Sequence, residues 1–470
     1  MSHRILFPLL FPLLALTACA VGPDYHAPQT TLPAHYQHQA GSSQPQLQRW
    51  WTVFDDAALS QLVEQALQSS PDLAQADARV RQARASLGVV DSALWPQLNA
   101  GVRSGRDQFS RNSENFANIP FANPRTGFND QRLQLDASWE IDLFGHTARS
   151  REAAAARLDS VQEQQADVAL RVAAEVARNV IDYRGWVARQ HNLEAQLAAA
   201  RESLRLTGLL RQTGEISDSE LNQAASNVAS LQAALPALHT AQGATVAALS
   251  VLLDQTQAQL LATLAAERPV PATLAQAPVG MPADLLRRRA DIRQAERELA
   301  AATADIGVAV AEQYPRLVLV GSGGWDSIHE GNLTAAASRF WNVGPQLSLP
   351  LFTGGRLKNQ VTAREAARDA ALAAYRQKVL AALADTETAL LRYQQEAQRQ
   401  HALQANVELA ELQLGLARQR FRVGEVAKTE VLAQQQLEAQ QREAWLASRQ
   451  AQAENLVALF KALGGGMQGK

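Results

Sequence analysis

Residues 132–145 read RLQLDASWEIDLFG, and polar and apolar residues alternate without a break from Arg132 to Leu143. Because successive side chains of a β-strand point to opposite faces, the alternation predicts a strand with one apolar and one polar face. A second stretch, WNVGPQLSLPLF at 341–352, alternates similarly, and 97–105 and 316–324 supply a partner strand for each. In the first stretch the apolar set is Leu133, Leu135, Ala137, Trp139, Ile141 and Leu143, and the polar set is Gln134, Asp136, Ser138, Glu140 and Asp142.

These half-polar strands have the length that a tilted strand needs to cross a membrane, about 9–11 residues. Four strands leave two unpaired edges, which hydrocarbon does not tolerate, so several copies of the chain must close one barrel. Two copies would give about eight strands around a lumen filled by side chains, whereas three would give about twelve around water. A polar face that carries Asp136, Glu140 and Asp142 favours the wider barrel. We therefore predict a homotrimer with these three residues in its lumen.

The chain also contains a long internal repeat, because residues 71–98 align without gaps on 290–317. The motif GEISDSEL at 214–221 then recurs as GEVAKTEV at 424–431, in the same order within each copy. Each copy predicts a helix, two strands, a very long helix, a Gly-Glu turn and a returning helix. The two long helices are predicted over 146–213 and 355–423.

Composition excludes several classes of function. The net charge of −2 over 470 residues gives no basic surface for nucleic acid. The nine His residues are scattered, and the sequence has no metal-ligand cluster, phosphate loop or nucleophile motif, so we expect neither an enzyme nor a metal site. No apolar run beyond the N-terminus reaches the roughly 18–20 residues of a membrane-spanning helix. Hydropathy alone would therefore indicate a soluble protein, which the alternating strands contradict.

The N-terminus predicts an exported lipoprotein. His3 and Arg4 precede an apolar stretch of signal-peptide length, and LTAC then places the only cysteine, Cys19, after small residues. A lone cysteine in an exported chain has no internal disulfide partner, so we expect Cys19 to be acylated and to become the mature N-terminus. That covalent lipid, which would anchor the chain in membrane lipid, is the only cofactor expected. The residues that follow, rich in Gln, Pro and His, predict an extended tether.

These signals together divide the chain into six segments. They are a lipoprotein signal peptide (1–18), a lipid-anchored tether (19–57), repeat 1 (58–266, with strands within 96–143 and a hairpin tip near 214), an inter-repeat linker (267–281), repeat 2 (282–463, with strands within 315–352 and a tip near 424) and a C-terminal tail (464–470).

Five motifs resemble the TolC-like outer membrane factor family, in the lipid-anchored branch that serves resistance-nodulation-division pumps. They are CAVGPDY (19–25), SWEIDLFG (138–145), RRRADIRQAERELAAATADIGVA (287–309), LPLFTGGRL (349–357) and FKALGGG (460–466). The resemblance implies a membrane α+β fold, in which a trimer forms a 12-stranded outer membrane β-barrel that continues into a 12-helix periplasmic α-barrel. It implies an exit duct that passes small molecules from an inner membrane pump and its periplasmic adaptor. A duct for type I protein secretion or for metal-ion efflux stays as the alternative.

The resemblance also assigns roles to the two Gly-Glu turns. Their exposed residues would contact the adaptor, namely Gly214, Glu215, Ile216, Ser217, Gly424, Glu425, Val426 and Ala427. Glu220 and Glu430 lie in the first turn of each returning helix and are candidates for a cation-selective aperture. Helix-end electrostatics alone also explains acidic residues at these two positions. Relatives often carry Asp three residues beyond Glu430, where this chain has Ala433, so an aspartate gate does not carry over.

Overall fold

The computed structural model describes residues 20–37, 48–110, 112, 126–266, 268–274 and 280–465. The predicted signal peptide and Cys19 lie outside these residues, as does most of the predicted C-terminal tail. The chain divides into two compact units. The strand unit comprises Met1–Pro28, Arg81–Ser160 and Glu296–Ala374, and the helical unit comprises Gln29–Val80, Val161–Ala295 and Tyr375–Lys470.

The helices and strands of the described residues follow one another in a simple order. They are α1 (Ala57–Ser69), α2 (Pro71–Asp91), β1 (Gln97–Gln108), β2 (Gly127–Ile141), α3 (His146–Gln212), α4 (Asp218–Leu253), α5 (Gln257–Leu264), α6 (Leu285–Arg288), α7 (Ala290–Ala311), β3 (Arg316–Ser327), β4 (Arg339–Ser348), α8 (Arg356–Arg422) and α9 (Lys428–Ala462).

The predicted duplication is confirmed by the order of these elements. The series helix, strand, strand, long helix, returning helix occurs first as α2–β1–β2–α3–α4 and again as α7–β3–β4–α8–α9. The long helices α3 and α8 each have 67 residues, which corresponds to about 100 Å. Their bounds agree with the predicted ones to within one residue at each end.

The strand unit holds a four-stranded antiparallel sheet of order β1-β2-β3-β4. Each repeat contributes one hairpin, and the two hairpins join where β2 pairs with β3. Leu135 is aligned with Ala100 and Gly323, and Gly323 is aligned with Trp341. Most apolar positions of the four strands therefore share one face, and the predicted strands are confirmed. Val318, Val320 and Phe340 are the exceptions, since they lie on the opposite face.

The helical unit has a core built from small and branched side chains. Val172, Val176 and Val180 of α3 are fully buried, as their spacing predicts. The segment predicted as an extended tether is instead packed at its end, where Trp50–Phe54 forms a 3-10 turn and Trp50 stacks on Phe460 at a centroid distance of 5.4 Å. The physical reason is that large aromatic side chains gain too much from burial to stay in water.

Helix α4 differs from the expectation that no segment beyond the N-terminus is apolar enough to cross a membrane as a helix. By length and composition alone, it is apolar enough to cross a membrane, although the core helices of soluble proteins pass the same test. In the described residues its Val228 packs against Leu197 and Ala200 of α3, so these two helices form a hairpin. Only 22% of its most apolar window is buried within one chain, which leaves an Ala-rich surface open.

Candidate functional site

The apolar face of the sheet is exposed in a single chain. Trp341 is 82% exposed, Val102 79% and Val343 69%. Each of the three lies at least two residues inside the ends of its strand. Their neighbours across the sheet are also apolar or small, since Val343 is aligned with Gly321 and Val102 with Leu133. A contiguous apolar surface of this kind marks an interaction with a membrane or a partner.

The opposite face is polar and holds two of the three residues predicted to line a lumen. Asp136 is aligned with Asn99 and Ser322, and Gln134 donates a hydrogen bond of 2.8 Å to it. Glu140 forms an ion pair with Arg316 of the neighbouring strand.

Asp142 lies elsewhere, one residue beyond the end of β2. Its carboxylate accepts a hydrogen bond of 2.8 Å from the backbone N–H of Ala148, in the first turn of α3. This contact satisfies one of the unpaired N–H groups at a helix start. Asp142 therefore caps the start of α3 and is not part of the paired strand, which ends at Ile141.

The two outer strands of the sheet each have a free edge. In the described residues β1 pairs only with β2, and β4 pairs only with β3. Each outer strand therefore presents a row of backbone N–H and C=O groups without strand partners on one side. Within hydrocarbon such edges must be paired.

The residues just after Cys19 are docked on the strand unit. The backbone N–H of Val21 donates to the carbonyl of Phe144 at 3.2 Å. The guanidinium of Arg149, whose side chain is almost fully buried, donates to the carbonyl of Val21 at 3.2 Å and to Asp24 at 2.7 Å. The hydrogen bond and the charge of Arg149 lower the pKa of Asp24. The predicted tether therefore starts as a fixed segment.

Glycines make this docking possible. A Cβ atom on Gly22 would lie 2.5 Å from Cα of Gly307, and one on Gly145 would lie 2.6 Å from Cα of Ala20. Gly22 and Gly145 also have φ values of +91° and +81°, which favour glycine. Local sequence patterns do not predict these contacts, because the contacts join residues far apart in the chain.

The two helical tips share one backbone geometry. Gly214 and Gly424 have φ values of +76° and +79°. In the first tip, the N–H of Glu215 donates to Leu210 O at 3.0 Å and that of Gly214 to Arg211 O at 3.1 Å. The second tip repeats both bonds, from Glu425 to Arg420 O at 2.9 Å and from Gly424 to Phe421 O at 3.1 Å. Each tip is thus a Schellman motif, which ends the long helix and reverses the chain.

The returning helices, however, start differently. In the first, Ser217 is the N-cap and forms a capping box with Glu220: the N–H of Glu220 donates to Ser217 Oγ, and the N–H of Ser217 donates to Glu220 Oε2 at 2.8 Å. The hydrogen bonds that the Glu220 carboxylate accepts, from the backbone N–H and from the hydroxyl of Ser217, lower the pKa of Glu220. In the second, the N-cap is Ala427, whose side chain has no acceptor, so Glu430 has no box to complete.

Glu430 is exposed and accepts one hydrogen bond, from Gln434 Nε2 at 3.2 Å. The two aperture candidates are therefore not equivalent: Glu220 is used by its own helix, and Glu430 is available to solvent. The S-x-x-E spacing of residues 217–220 is a known capping signature, and it could have separated the two from sequence alone.

One contact beside the second tip was not predicted. Lys428 Nζ lies 2.6 Å from a carboxylate oxygen of Glu202 on α3, so it connects the start of α9 to the first hairpin. Hydrogen bonds from Arg205 and from Lys428 lower the pKa of Glu202 to about 2. Both residues lie on exposed helix surfaces, where sequence gives no indication of the partner. As for metals, the part of the chain that the structure describes contains no group of three or more His, Cys, Asp or Glu side chains able to hold one.

The sequence matches the family model described as outer membrane efflux protein over residues 62–255 and 281–465. Among its relatives, the pyoverdine export outer membrane protein OpmQ of Pseudomonas putida is 33% identical over 473 residues, which cover 99% of this chain and 98% of the relative. The toluene efflux pump outer membrane protein TtgF of Pseudomonas putida is 31% identical over 475 residues, which cover 96% and 95% of the two chains. Among solved structures, the outer-membrane channel OprN is 31% identical with a TM-score of 0.84, over 96% of this chain and 100% of that one.

Proposed function

The chain belongs to the outer membrane efflux protein family, and from that membership we propose that three copies of it form the exit duct of a tripartite efflux pump. It is an outer membrane protein of efflux, with the TolC-like fold of that family. The proposal goes further in three respects: the trimer, the pump and adaptor that complete the assembly, and the cargo.

The proposal of a trimer rests on one observation, which is the four-stranded sheet with an exposed apolar face and two free edges. A membrane accepts such a sheet only after its edges are paired, and a second copy of the same chain offers β4 to β1. Three copies close about twelve strands, wide enough for a water-filled lumen behind the polar face. The open Ala-rich surface of α4 fits close helix packing between copies.

Small organic molecules are the cargo that the relatives favour. TtgF is named for toluene and OpmQ for pyoverdine, and each is similar to this chain over nearly its whole length. Protein secretion and metal-ion efflux, the alternatives that the sequence left open, have no comparable support. The test is a strain that lacks this chain: it should accumulate a fluorescent pump substrate severalfold more than its parent, and the wild-type gene should restore efflux. Unchanged accumulation across a panel of organic substrates would contradict this cargo class.

We propose that Cys19 carries the lipid anchor, although it lies outside the described residues. Support comes from its neighbour: Ala20 is seated against Gly145, in the junction between the end of β2 at Ile141 and the start of α3. A lipid on Cys19 would therefore be attached next to a residue that is docked on the strand unit, which is the unit proposed to lie in the membrane. Cys19→Ala should abolish incorporation of a labelled fatty acid and keep the signal peptide attached. Normal labelling of that variant would refute the assignment, without affecting the duct.

At the two tips, residues 214–217 and 424–427 are the surface proposed to meet the periplasmic adaptor. Both turns are exposed and rigid, because a Schellman motif fixes each backbone. Each chain has two tips, so a trimer would have six, and a ring of six tips suits a ring-shaped partner.

At the same end, Glu430 is the residue proposed to line a cation-selective aperture. It is favoured over Glu220 because Ala427 offers its carboxylate no capping contact, whereas Ser217 engages the carboxylate of Glu220. Position 433, three residues further on, is Ala, so Glu430 would form the charged ring without a second acid there.

A matched pair of variants tests this difference. Glu430→Gln should lower the cation-over-anion permeability ratio of single channels and weaken their block by multivalent cations, since it removes a ring of charge. Glu220→Gln should leave selectivity nearly unchanged and instead lower the thermal stability of the first hairpin, because it weakens the capping box. Equal selectivity in wild type and Glu430→Gln would return Glu430 to a helix-end role.

A further inference from the structure

We infer that Asp136 is the residue that gives the barrel part of the duct its charge preference, and that it acts on cationic solutes as they pass. This inference rests on the proposed trimer, whose lumen is lined by the polar face of the sheet. It distinguishes Asp136 from Glu140 and Asp142, which the alternation in the sequence places on the same polar face.

Most of the charge on the polar face is neutralised in pairs. Arg132 pairs with Asp326 at 2.6 Å, and Arg103 pairs with Asp130 at 2.9 Å and with Asp107 at 3.2 Å. Arg316 pairs with Glu140. Every arginine on this face of the described strands is therefore engaged, and Glu140 contributes little net charge to a lumen. Arg103 faces two carboxylates, so one further negative charge remains near the hairpin end of β1.

Asp136 differs from the other carboxylates of this face. Among the described residues it has no ion-pair partner within 4.0 Å, and the hydrogen bond it accepts comes from the neutral amide of Gln134. The strand register places it in a row with Asn99, Ser322 and Asn342, all of which are polar and uncharged. Asp136 is half-buried in this row, and because no cation is paired with it, its charge remains to act on a passing solute.

The rows on either side are uncharged as well. Gln134 is aligned with Gly101 and Gly324, and Ser138 is aligned with Gln97 and Val320. The nearest charged rows are those of Arg132 and Glu140, four residues away in each direction along β2, or about 13 Å. The Arg132 side chain leans back toward Asp136, with its guanidinium 5.5 Å from the centre of the Phe340 ring, so its charge reaches Asp136. That guanidinium is already paired with Asp326, and Glu140 lies beyond the Debye length of about 8 Å at physiological ionic strength, so Asp136 keeps most of its charge for the lumen.

Threefold symmetry would then place three such carboxylates at one level of the lumen, in a band otherwise lined by uncharged residues, among them Val320 and Phe340. A ring of this kind raises the local concentration of cations and lowers that of anions. The chemical class favoured in the barrel is therefore a cationic organic solute or a hydrated metal cation, with anionic solutes disfavoured.

A local probe tests the inference independently of the helical tips. Ser322 lies directly opposite Asp136 and is uncharged, so Ser322→Cys places a reporter thiol in the same row. Thiosulfonate reagents that differ only in charge, one a quaternary ammonium and one a sulfonate, are added from outside to cells that carry this variant. Their rate ratio reports the local potential. Adding Asp136→Asn should lower the cation-to-anion rate ratio roughly threefold to tenfold, as expected for unit charges about 5–6 Å apart in water.

The control removes a neutralised pair instead of a lone charge. Glu140→Gln combined with Arg316→Gln deletes two charges that cancel, and it should leave the ratio at Ser322→Cys unchanged. The inference would be overturned if Asp136→Asn left the cation-to-anion rate ratio unchanged, or if Glu140→Gln with Arg316→Gln changed that ratio equally. Neither result would contradict the proposed exit duct. A thiol at 322 that reacts with neither reagent would refute the water-filled lumen, and the inference with it.

Discussion

The double variant Gly214→Pro/Gly424→Pro is expected to abolish efflux, so that cells accumulate as much pump substrate as a strain without this chain. Proline fixes φ near −65°, whereas these glycines need +76° and +79°. Proline also removes the N–H groups that donate to Arg211 O and Phe421 O, each at 3.1 Å. Both tips should therefore lose their shape, and crosslinking to the adaptor should be lost with it.

The matched control is Gly214→Asn/Gly424→Asn. Asparagine tolerates positive φ better than other side chains and keeps the N–H, so most efflux should remain. Trimers should persist in the outer membrane with either double variant, because the tips belong to the helical unit and the sheet to the strand unit. Full efflux by the proline variant would show that tip geometry does not matter for coupling.

A charge on the apolar face of the sheet should have the second large effect. Val343 lies in the middle of β4, aligned with Gly321 on the face assigned to lipid. Arginine there costs about 2–4 kcal/mol per chain near the middle of a bilayer, and a trimer would bear that cost at three places. Val343→Arg should therefore remove most folded trimer from outer membrane fractions.

The adjacent residue provides the control, since Asn342 lies on the opposite face in the row of Ser322 and Asp136. Asn342→Arg introduces the same side chain into the water-filled lumen, so assembly should survive while the cation preference falls. The measurement is the amount of heat-sensitive trimer in outer membrane fractions of the two strains. Equal amounts of both variants would contradict the assignment of faces.

Sequence reasoning succeeded where structure depends on local periodicity. The alternation in 132–145 fixes which β2 side chains share a face, and the glycines at 214 and 424 mark where the long helices end. Both patterns follow from backbone geometry over a few residues. The repeated order of these patterns then supplied the fold of the second half.

It failed where partners come from distant parts of the chain. The Glu140–Arg316 pair joins residues 176 positions apart, and nothing in either local stretch predicts that strand register brings them together. The docking of Gly22 on Gly307 is of the same kind. The capping box at Ser217 is different, because the spacing of Ser217 and Glu220 is local and is sufficient to predict it from the sequence. Charge on a predicted face therefore has to be counted after pairing.

The central claim is that three copies of this chain close one barrel in the outer membrane. Native mass spectrometry of the particle extracted from outer membranes in mild detergent tests it most directly. A single dominant species with the mass of three chains is the predicted result, because only pairing of β4 with β1 of the next copy removes the free strand edges. A stable particle of one or two chains that still restores efflux would contradict it.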